Sequence, residues 1–191
     1  MMPRILAFAS STRRESFNKK LVAIAAQGAR EAGAEVTLID LKDFPLPLFD
    51  QDLEAEEGMP ENGKKLKKLF IDHDGLLIAS PEHNSSCPAV LKNAIDWVSR
   101  PAPGEPSLVA IRGKVAILMS ASPGALGGLR GLVHVRSILG NIGVIVLPDQ
   151  IAVAQAHEAF NPGGTLKDPK RQAGIEGLGR TLADFLAKLK A

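Results

Sequence analysis

Short apolar runs alternate along this chain with longer amphipathic segments, and this alternation limits the possible folds more than any other feature of the sequence. The runs of strand length cover residues 5–9, 35–40, 75–79, 114–121 and 143–147. The segments with apolar residues at helical spacing cover residues 17–31, 61–72, 89–100, 129–139 and 171–189. Such alternation predicts a parallel sheet covered by helices on both faces, that is, a doubly wound α/β fold with five strands.

The composition fits one soluble domain. The chain has 191 residues, of which 45% are hydrophobic, so one substantial core is expected and two would be cramped. Its 23 basic and 21 acidic residues leave a net charge of +2, which argues against a dedicated nucleic-acid surface. The apolar stretch near the N-terminus is too short for a signal peptide or a membrane span, and one cysteine excludes an internal disulfide. We therefore expect residues 1–191 to form a single cytoplasmic domain with no membrane or nucleic-acid partner.

Proline-rich stretches interrupt the pattern twice. The prolines at positions 45 and 47 break any regular ladder between residues 44 and 50, and we expect a loop from there to the helix at residue 61. The second stretch, residues 101–107, begins where the helix over 89–100 meets Pro101. Both segments are expected to be irregular.

The first, third and fourth predicted strands are each followed by a polar loop. In doubly wound sheets, ligands lie outside the carboxyl ends of the strands at the point where the strand order reverses. We therefore expect the three loops, residues 10–18, 80–88 and 122–128, to share one binding site.

The loop over residues 10–18 has the composition of a phosphate site. Its polar side chains are Ser10, Ser11, Thr12, Arg13, Ser16 and Asn18. Hydroxyls, a guanidinium and the N–H groups of a helix N-terminus all suit a phosphate, whereas an ordinary helix cap would need only the hydroxyl of Ser16. The loop contains neither Gly-x-Gly-x-x-Gly nor Gly-Lys-Ser/Thr, so a terminal phosphate monoester suits it better than a buried pyrophosphate.

The loop over residues 80–88 contains two prolines, Pro81 and Pro88. Because proline fixes φ and lacks an N–H group, the amides from Glu82 to Cys87 are held in a restricted geometry, and we expect these donors to face a ligand. Cys87 is not expected to be a nucleophile, because Asn93 stands where a phosphatase would have arginine.

Three ordered motifs carry a family resemblance. Residues 11–18, residues 81–97 and the stretch Gly127-Gly128-Leu129-Arg130-Gly131 with His134-Val135-Arg136 resemble the NAD(P)H-dependent FMN reductase family, which includes quinone, azo-dye and chromate reductases. The resemblance implies a flavodoxin-like fold with strand order 2-1-3-4-5, FMN bound non-covalently, and NADPH or NADH as the electron donor.

The same resemblance implies a role for each motif residue. Ser11, Arg13, Ser16 and Asn18 would hold the FMN phosphate with loop contacts from Ser10 and Thr12; Pro81, Glu82, His83, Asn84 and Ser85 would line the isoalloxazine ring, mainly through backbone amides; and Ser120, Ser122 and Gly124 would approach its other side. The family usually has tyrosine where this chain has His83. No general acid or base is predicted, because the cofactor carries the chemistry, and no metal is predicted, because His73 and His157 lack partners at ligand spacing.

The implied function is an oxidoreductase that passes hydride from the nicotinamide through bound FMN to quinone, flavin, azo or metal-oxyanion acceptors. One alternative is a flavodoxin-type electron carrier, although such carriers are usually strongly acidic; another is an FMN-binding sensor without physiological turnover. The physiological acceptor and the choice between NADH and NADPH stay open. The resemblance also implies a homodimer or homotetramer in which a neighbouring subunit walls the ring, with residues 44–59 and 101–107 as candidates for that wall.

Overall fold

A central five-stranded sheet organises the molecule, whose computed structural model describes residues 2–190. The strands are β1 (Arg4–Ala9), β2 (Glu35–Asp40), β3 (Gly75–Ala79), β4 (Val115–Ala121) and β5 (Ile145–Val153). All neighbouring pairs are parallel and the order is β2-β1-β3-β4-β5, which confirms the predicted flavodoxin-like topology. The order reverses between β1 and β3, so a crevice is expected at the carboxyl ends of these two strands.

Helices cover both faces of the sheet. They are α1 (Phe17–Glu31), α2 (Gln51–Glu57), α3 (Glu61–Asp72), α4 (Ala89–Val98), α5 (Leu129–Asn141), α6 (Ala156–Ala159) and α7 (Pro169–Leu189). Apolar residues of α1 and α7 form one buried cluster with alternate residues of the strands, such as Ile5 and Ile117, and residues of α3, α4 and α5 form a second cluster with the other alternate residues, such as Leu6 and Leu118. The residues of β3 and β4 are all buried, as expected for central parallel strands.

The helices differ from expectation at four places: α5 ends at Asn141 and not at residue 139, α7 begins at Pro169 and not at residue 171, and the other two differences concern residues 51–57 and the end of α4. Residues 51–57, expected to be loop, form the short helix α2: the Asp50 carboxylate accepts a hydrogen bond from the Asp52 N–H at 2.8 Å, and Gly58 with φ 75° ends the helix. These are ordinary start and stop signals that the neighbouring prolines obscured. The helix α4 also ends earlier than expected, at Val98, because Pro101 restricts the residue before it.

The last strand is longer than its apolar run. It was expected to end at Leu147, but it continues past Pro148 to Val153. The register against β4 changes at this point, since Val146 pairs with Ala116 whereas Gln150 pairs with Leu118. The bulge on this edge strand accommodates the proline, which has no N–H to give to a ladder.

None of the helices within residues 2–190 is long and apolar enough to cross a membrane. Across the same residues, no group of three or more His, Cys, Asp or Glu side chains is placed to hold a metal ion.

Candidate functional site: a cavity at the carboxyl edge of the sheet

A cavity of about 400 Å³ opens at the carboxyl ends of β1, β3 and β4, where the strand order reverses. Its lining residues are Ser10, Ser11, Thr12, Arg13, Ser16, Phe17, Asn18, Pro81, Glu82, His83, Val90, Ala121, Ser122 and Pro123. The three loops expected to share one site therefore do meet. Four candidate residues, Asn84, Ser85, Ser120 and Gly124, lie outside this lining, and Phe17, Val90, Ala121 and Pro123 are lining residues that the sequence did not indicate.

One end of the cavity is built by the N-terminus of α1. Ser16 is the residue before the helix, with extended φ and ψ, and it is only 5% exposed, yet within the described chain its side chain makes no cap hydrogen bond to α1. The first helical N–H groups are therefore left for a ligand, and the positive end of the helix dipole favours an anion there. The guanidinium of Arg13, 5.8 Å from the Phe17 ring centroid, adds a full positive charge. The observed geometry thus fits a phosphate group.

Besides lining the cavity, Asn18 connects α1 to β4. Its side chain is buried, the amide Nδ2 donates to the Ala121 carbonyl oxygen at 2.8 Å, and its Oδ1 accepts from the Ala121 N–H at 2.9 Å. This two-way contact ties the first turn of α1 to the end of β4. Any contact between Asn18 and a phosphate is left mainly to its backbone N–H.

The loop after β3 folds into a two-residue hairpin. His83 and Ser86 exchange backbone hydrogen bonds, each 3.0 Å long, and the central residues Asn84 and Ser85 have φ of 50° and 66°. Two positive φ values in a row are the signature of a type I′ turn. The amides of His83 and Ser86 are therefore satisfied inside the loop, so the donors that stay candidates to meet a ligand are those of Glu82, Asn84, Ser85 and Cys87. Asn84 and Ser85 lie at the exposed hairpin tip.

The glycines after β4 are required for close packing. A Cβ atom at Gly127, where φ is 62°, would lie 2.7 Å from the Val153 carbonyl carbon, and one at Gly128, where φ is 92°, would lie 3.1 Å from the Ser120 side chain. Ser120 is fully buried, and its hydroxyl donates to the Gly127 carbonyl oxygen at 2.7 Å. Ser120 thus holds the glycine loop, while Ser122 lines the cavity.

The loop after β3 is also anchored to α5. The Glu82 carboxylate accepts hydrogen bonds from the Arg130 guanidinium, at 2.5 Å to Nη2 and 2.8 Å to Nε, and from the N–H groups of Arg130 and Gly131. The hydrogen bonds from Arg130 are the main reason that the pKa of Glu82 lies below its usual value. Sequence reasoning gave Arg130 and Gly131 only as part of a motif, because a contact across 48 residues leaves no local signal.

His134 and Arg136, the remaining polar residues of this motif, are anchors as well. His134 Nδ1 lies 2.8 Å from the Ser86 hydroxyl. The Arg136 guanidinium donates to the carbonyl oxygens of Val146 and Leu147, at 3.0 and 2.8 Å, beside the bulge of β5. Both residues thus fasten α5 to neighbouring segments.

Fold and cavity together define a class: a doubly wound protein with a cavity at the carboxyl edge of its sheet, where one loop has a geometry that fits a phosphate and a second loop, held by α5, lies beside it. Comparison with known proteins narrows this class. The chain belongs to the NADPH-dependent FMN reductase family, whose sequence model matches residues 3–158. The predicted family and the predicted enzyme class, an NAD(P)H-dependent FMN or quinone reductase, are thereby confirmed, and membership implies FMN and NAD(P)H as cofactors.

Individual relatives agree with this assignment. The chain is 33% identical to a quinone reductase of Escherichia coli (strain K12) over 75% of this chain and 73% of that protein, and 32% identical to an NAD(P)H-dependent FMN reductase of Pseudomonas aeruginosa over 98% and 97%. Among solved structures, the flavoenzyme NAD(P)H:(acceptor) oxidoreductase FerB from Paracoccus denitrificans superposes with a TM-score of 0.81 at 27% identity, covering 98% of each chain.

Proposed function

We propose that this chain is an FMN-dependent NAD(P)H oxidoreductase that reduces quinones and, more broadly, flavin, azo and metal-oxyanion acceptors such as chromate. One observation carries the proposal: residues of the two segments that the resemblance assigns to FMN meet around one cavity at the switch point of the sheet, from residues 11–18 on one side and from Pro81, Glu82 and His83 on the other. The quinone acceptors are supported by relatives that are themselves quinone reductases.

The phosphate of FMN would be held at the start of α1. Arg13 supplies a guanidinium, Ser11 and Ser16 supply hydroxyls, and the first turn of the helix supplies N–H groups, all toward one end of the cavity. A phosphate monoester is a dianion with three acceptor oxygens, so it can use a charged fork and several neutral donors at once. Ser10 and Thr12 would add contacts from the same loop.

The isoalloxazine ring would lie against the hairpin loop. Pro81 and His83 line the cavity there, and Ser122 and Pro123 line it from the end of β4. The hairpin keeps the peptide groups of this loop in one conformation, so the donors that meet the polar edge of the ring are ordered before it binds. His83 takes the position where the family usually has tyrosine.

FMN, when bound, would supply the redox chemistry, that is, the transfer of hydride from the nicotinamide to the acceptor. The chain's own residues then need to bind the cofactor and to orient the nicotinamide and the acceptor against it. No side chain is proposed as a general acid or base. The cavity is open to solvent, which suits a site that admits a nicotinamide and then an acceptor of varied shape.

We further propose that residues 1–191 form one cytoplasmic FMN-binding domain that assembles as a homodimer or homotetramer, with residues 44–59 and 101–107 available to wall a neighbour's ring. Three features of residues 44–59 support the assembly. Every residue of α2 is at least partly exposed, Leu48 is 78% exposed, and the adjoining Pro47 carbonyl oxygen is fixed by hydrogen bonds from Asn93 and from the Trp97 indole at 2.8 and 2.9 Å. Light scattering that finds a fully active monomer would refute the assembly.

The function is tested by the visible spectrum of the purified protein. We expect flavin absorption bands that bleach when NADPH or NADH is added without oxygen and return when a benzoquinone is supplied. A protein that binds FMN yet turns over neither a quinone nor ferricyanide would instead be an electron carrier or a sensor.

A further inference from the structure

We propose that Glu82 is a positioning residue for the loop that receives the flavin ring. Where the Glu82 carboxylate borders the cavity, its negative charge is cancelled by Arg130. This inference rests on the proposed function and deepens it, because it assigns to the chain a means of setting the redox potential of the bound flavin.

The first step is the cap that Glu82 gives to α5. The residue before this helix is Gly128, in a left-handed conformation and without a side chain to cap the first turn. The Glu82 carboxylate takes that place, since it accepts from the N–H of Arg130 at 3.1 Å and the N–H of Gly131 at 3.3 Å. A carboxylate at a helix N-terminus also meets the positive end of the helix dipole. The ring loop and α5 are therefore held as one unit.

The second step is the close packing around this cap. A Cβ atom at Gly131 would lie 3.1 Å from the Ser86 carbonyl oxygen and 3.3 Å from the Glu82 Cα, so a glycine lets the helix approach the loop closely. On the other side of the hairpin, the Ser86 hydroxyl contacts His134. The hairpin is thus fastened to α5 at both of its ends.

The third step concerns charge. Glu82 lines the cavity and its side chain is only 10% exposed, whereas the Arg130 side chain is 60% exposed and covers it from the solvent side. A poorly hydrated carboxylate beside the ring would oppose the arrival of electrons, and an unpaired guanidinium would favour it. With the pair intact, the two charges largely cancel at the ring.

The experiment separates this charge effect from loss of structure. Glu82→Gln and Arg130→Met each break the same ion pair but leave opposite charges behind. We expect the midpoint potential of bound FMN, measured by equilibration with a reference dye, to rise in Glu82→Gln and to fall in Arg130→Met, with the double variant lying between them. Arg130→Lys keeps the charge and should stay near the parent. Glu31→Gln and Arg180→Met break an exposed Glu–Arg pair at the far end of α1, with 3.0 Å between Arg180 Nη1 and Glu31 Oε2, and should leave the potential unchanged.

A purely structural role predicts a different pattern. Both single variants would then weaken FMN binding and lower the melting temperature of the apoprotein, and their potentials would move together or stay unchanged; that result would overturn the proposal. If Arg130→Met does not fold, the midpoint potential of FMN in Glu82→Gln is compared with that in Arg130→Lys. Equal potentials in these two variants would also overturn the proposal. A parent protein without bound FMN would contradict the proposed function itself, whereas bound FMN with parallel shifts contradicts only this inference.

Discussion

Arg13 and Arg14 are adjacent arginines in different surroundings. Both are exposed, but Arg13 lines the cavity and lies over the Phe17 ring, whereas Arg14 is outside the lining. Charge-assisted hydrogen bonds to a phosphate are the strong ones, and losing one or two of them costs about 2 kcal/mol, or about thirtyfold in affinity. We therefore expect Arg13→Ala to weaken FMN binding about thirtyfold in a fluorescence titration of the apoprotein. Arg14→Ala removes a positive charge from the adjacent residue and should change the FMN affinity little. Equal losses of affinity in both variants would mean that only the overall positive charge of the loop matters.

Asn18 allows a separate prediction about stability. Its side-chain amide donates a hydrogen bond to the Ala121 carbonyl oxygen and accepts one from the Ala121 N–H, and both hydrogen bonds are buried. Asn18→Asp keeps the shape but places an oxygen against that carbonyl and buries a charge, so the unfolding free energy of the apoprotein should fall by about 3 kcal/mol. Urea unfolding measures this directly. Asn161→Asp, the same change at a partly exposed loop residue, should shift the midpoint little, and an equally stable Asn18→Asp variant would show that the contact with β4 contributes nothing.

At the level of elements, the crossing of α1 and α7 depends on two glycines. A Cβ atom at Gly179 would lie 1.9 Å from the Ala25 carbonyl oxygen, and one at Gly28 would lie 2.1 Å from the Glu176 carbonyl oxygen. Each helix therefore places a glycine against the backbone of the other. The two helices can touch this closely only because neither presents a side chain at the crossing point.

Alanine at Gly179 would force the two helices apart. Overpacking of this kind costs about 3 kcal/mol, because backbone cannot move aside as a flexible side chain can. Gly177→Ala is the matched control on the same helix: a Cβ there meets nothing within 4 Å, so the better helix propensity of alanine should stabilise the protein by about 0.5–1 kcal/mol. Thermal unfolding of the two variants should show midpoints that move in opposite directions. A fall in both would mean that the flexibility of α7, and not the close crossing, requires glycine.

At the level of the whole molecule, the sequence predicts those helices and strands whose bounds are determined by a local pattern of residues. The bounds of α1, α3, β2 and β3 agree with the predicted ranges, because each has an apolar periodicity of its own and a stop signal such as Gly33. The extension of β5 could not be predicted, since the strand passes Pro148 by means of a bulge and Arg136 of α5 binds the carbonyl groups beside it, and neither contact leaves a local pattern.

The candidate site likewise has one part that could be predicted from a local stretch of sequence and another part that depends on long-range contacts. Its phosphate loop is a continuous stretch with a recognisable composition, and the residues expected there do line the cavity. The anchoring of the ring loop by Glu82 and Arg130 is a tertiary contact, and the commitment of Asn18 to β4 spans 103 residues. Such pairings follow from how the elements pack, and composition alone does not contain them.

The response to acid tests how these long-range pairs act together. Several carboxyl groups that join distant segments have a pKa below the usual value, among them Asp40, Asp74 and Glu82. Partial burial would raise the pKa of Asp40 and of Asp74, but hydrogen bonds from Lys19 and the Lys42 N–H, and from Lys190 and the Arg4 N–H, outweigh it. For Glu82 the hydrogen bonds from Arg130 dominate. Because the unfolded chain then binds more protons than the folded one, the stabilisation is fully present above the ordinary carboxyl pKa of about 4 and is lost as the pH falls through the lower folded values.

We therefore expect the urea midpoint of the apoprotein to be nearly constant between about pH 5 and 7 and to fall steeply below about pH 4. Asp74→Asn should lower the midpoint at neutral pH, because the contact of Lys190 with Asp74, the residue before β3, loses its charge, and should flatten the acid limb, because one of the protons taken up on unfolding is gone. Asp184→Asn, at an exposed position of α7, removes one negative charge without breaking such a pair and controls for net charge. An acid limb as steep in Asp74→Asn as in the parent would mean that the ion pair between Asp74 and Lys190 does not contribute to acid unfolding.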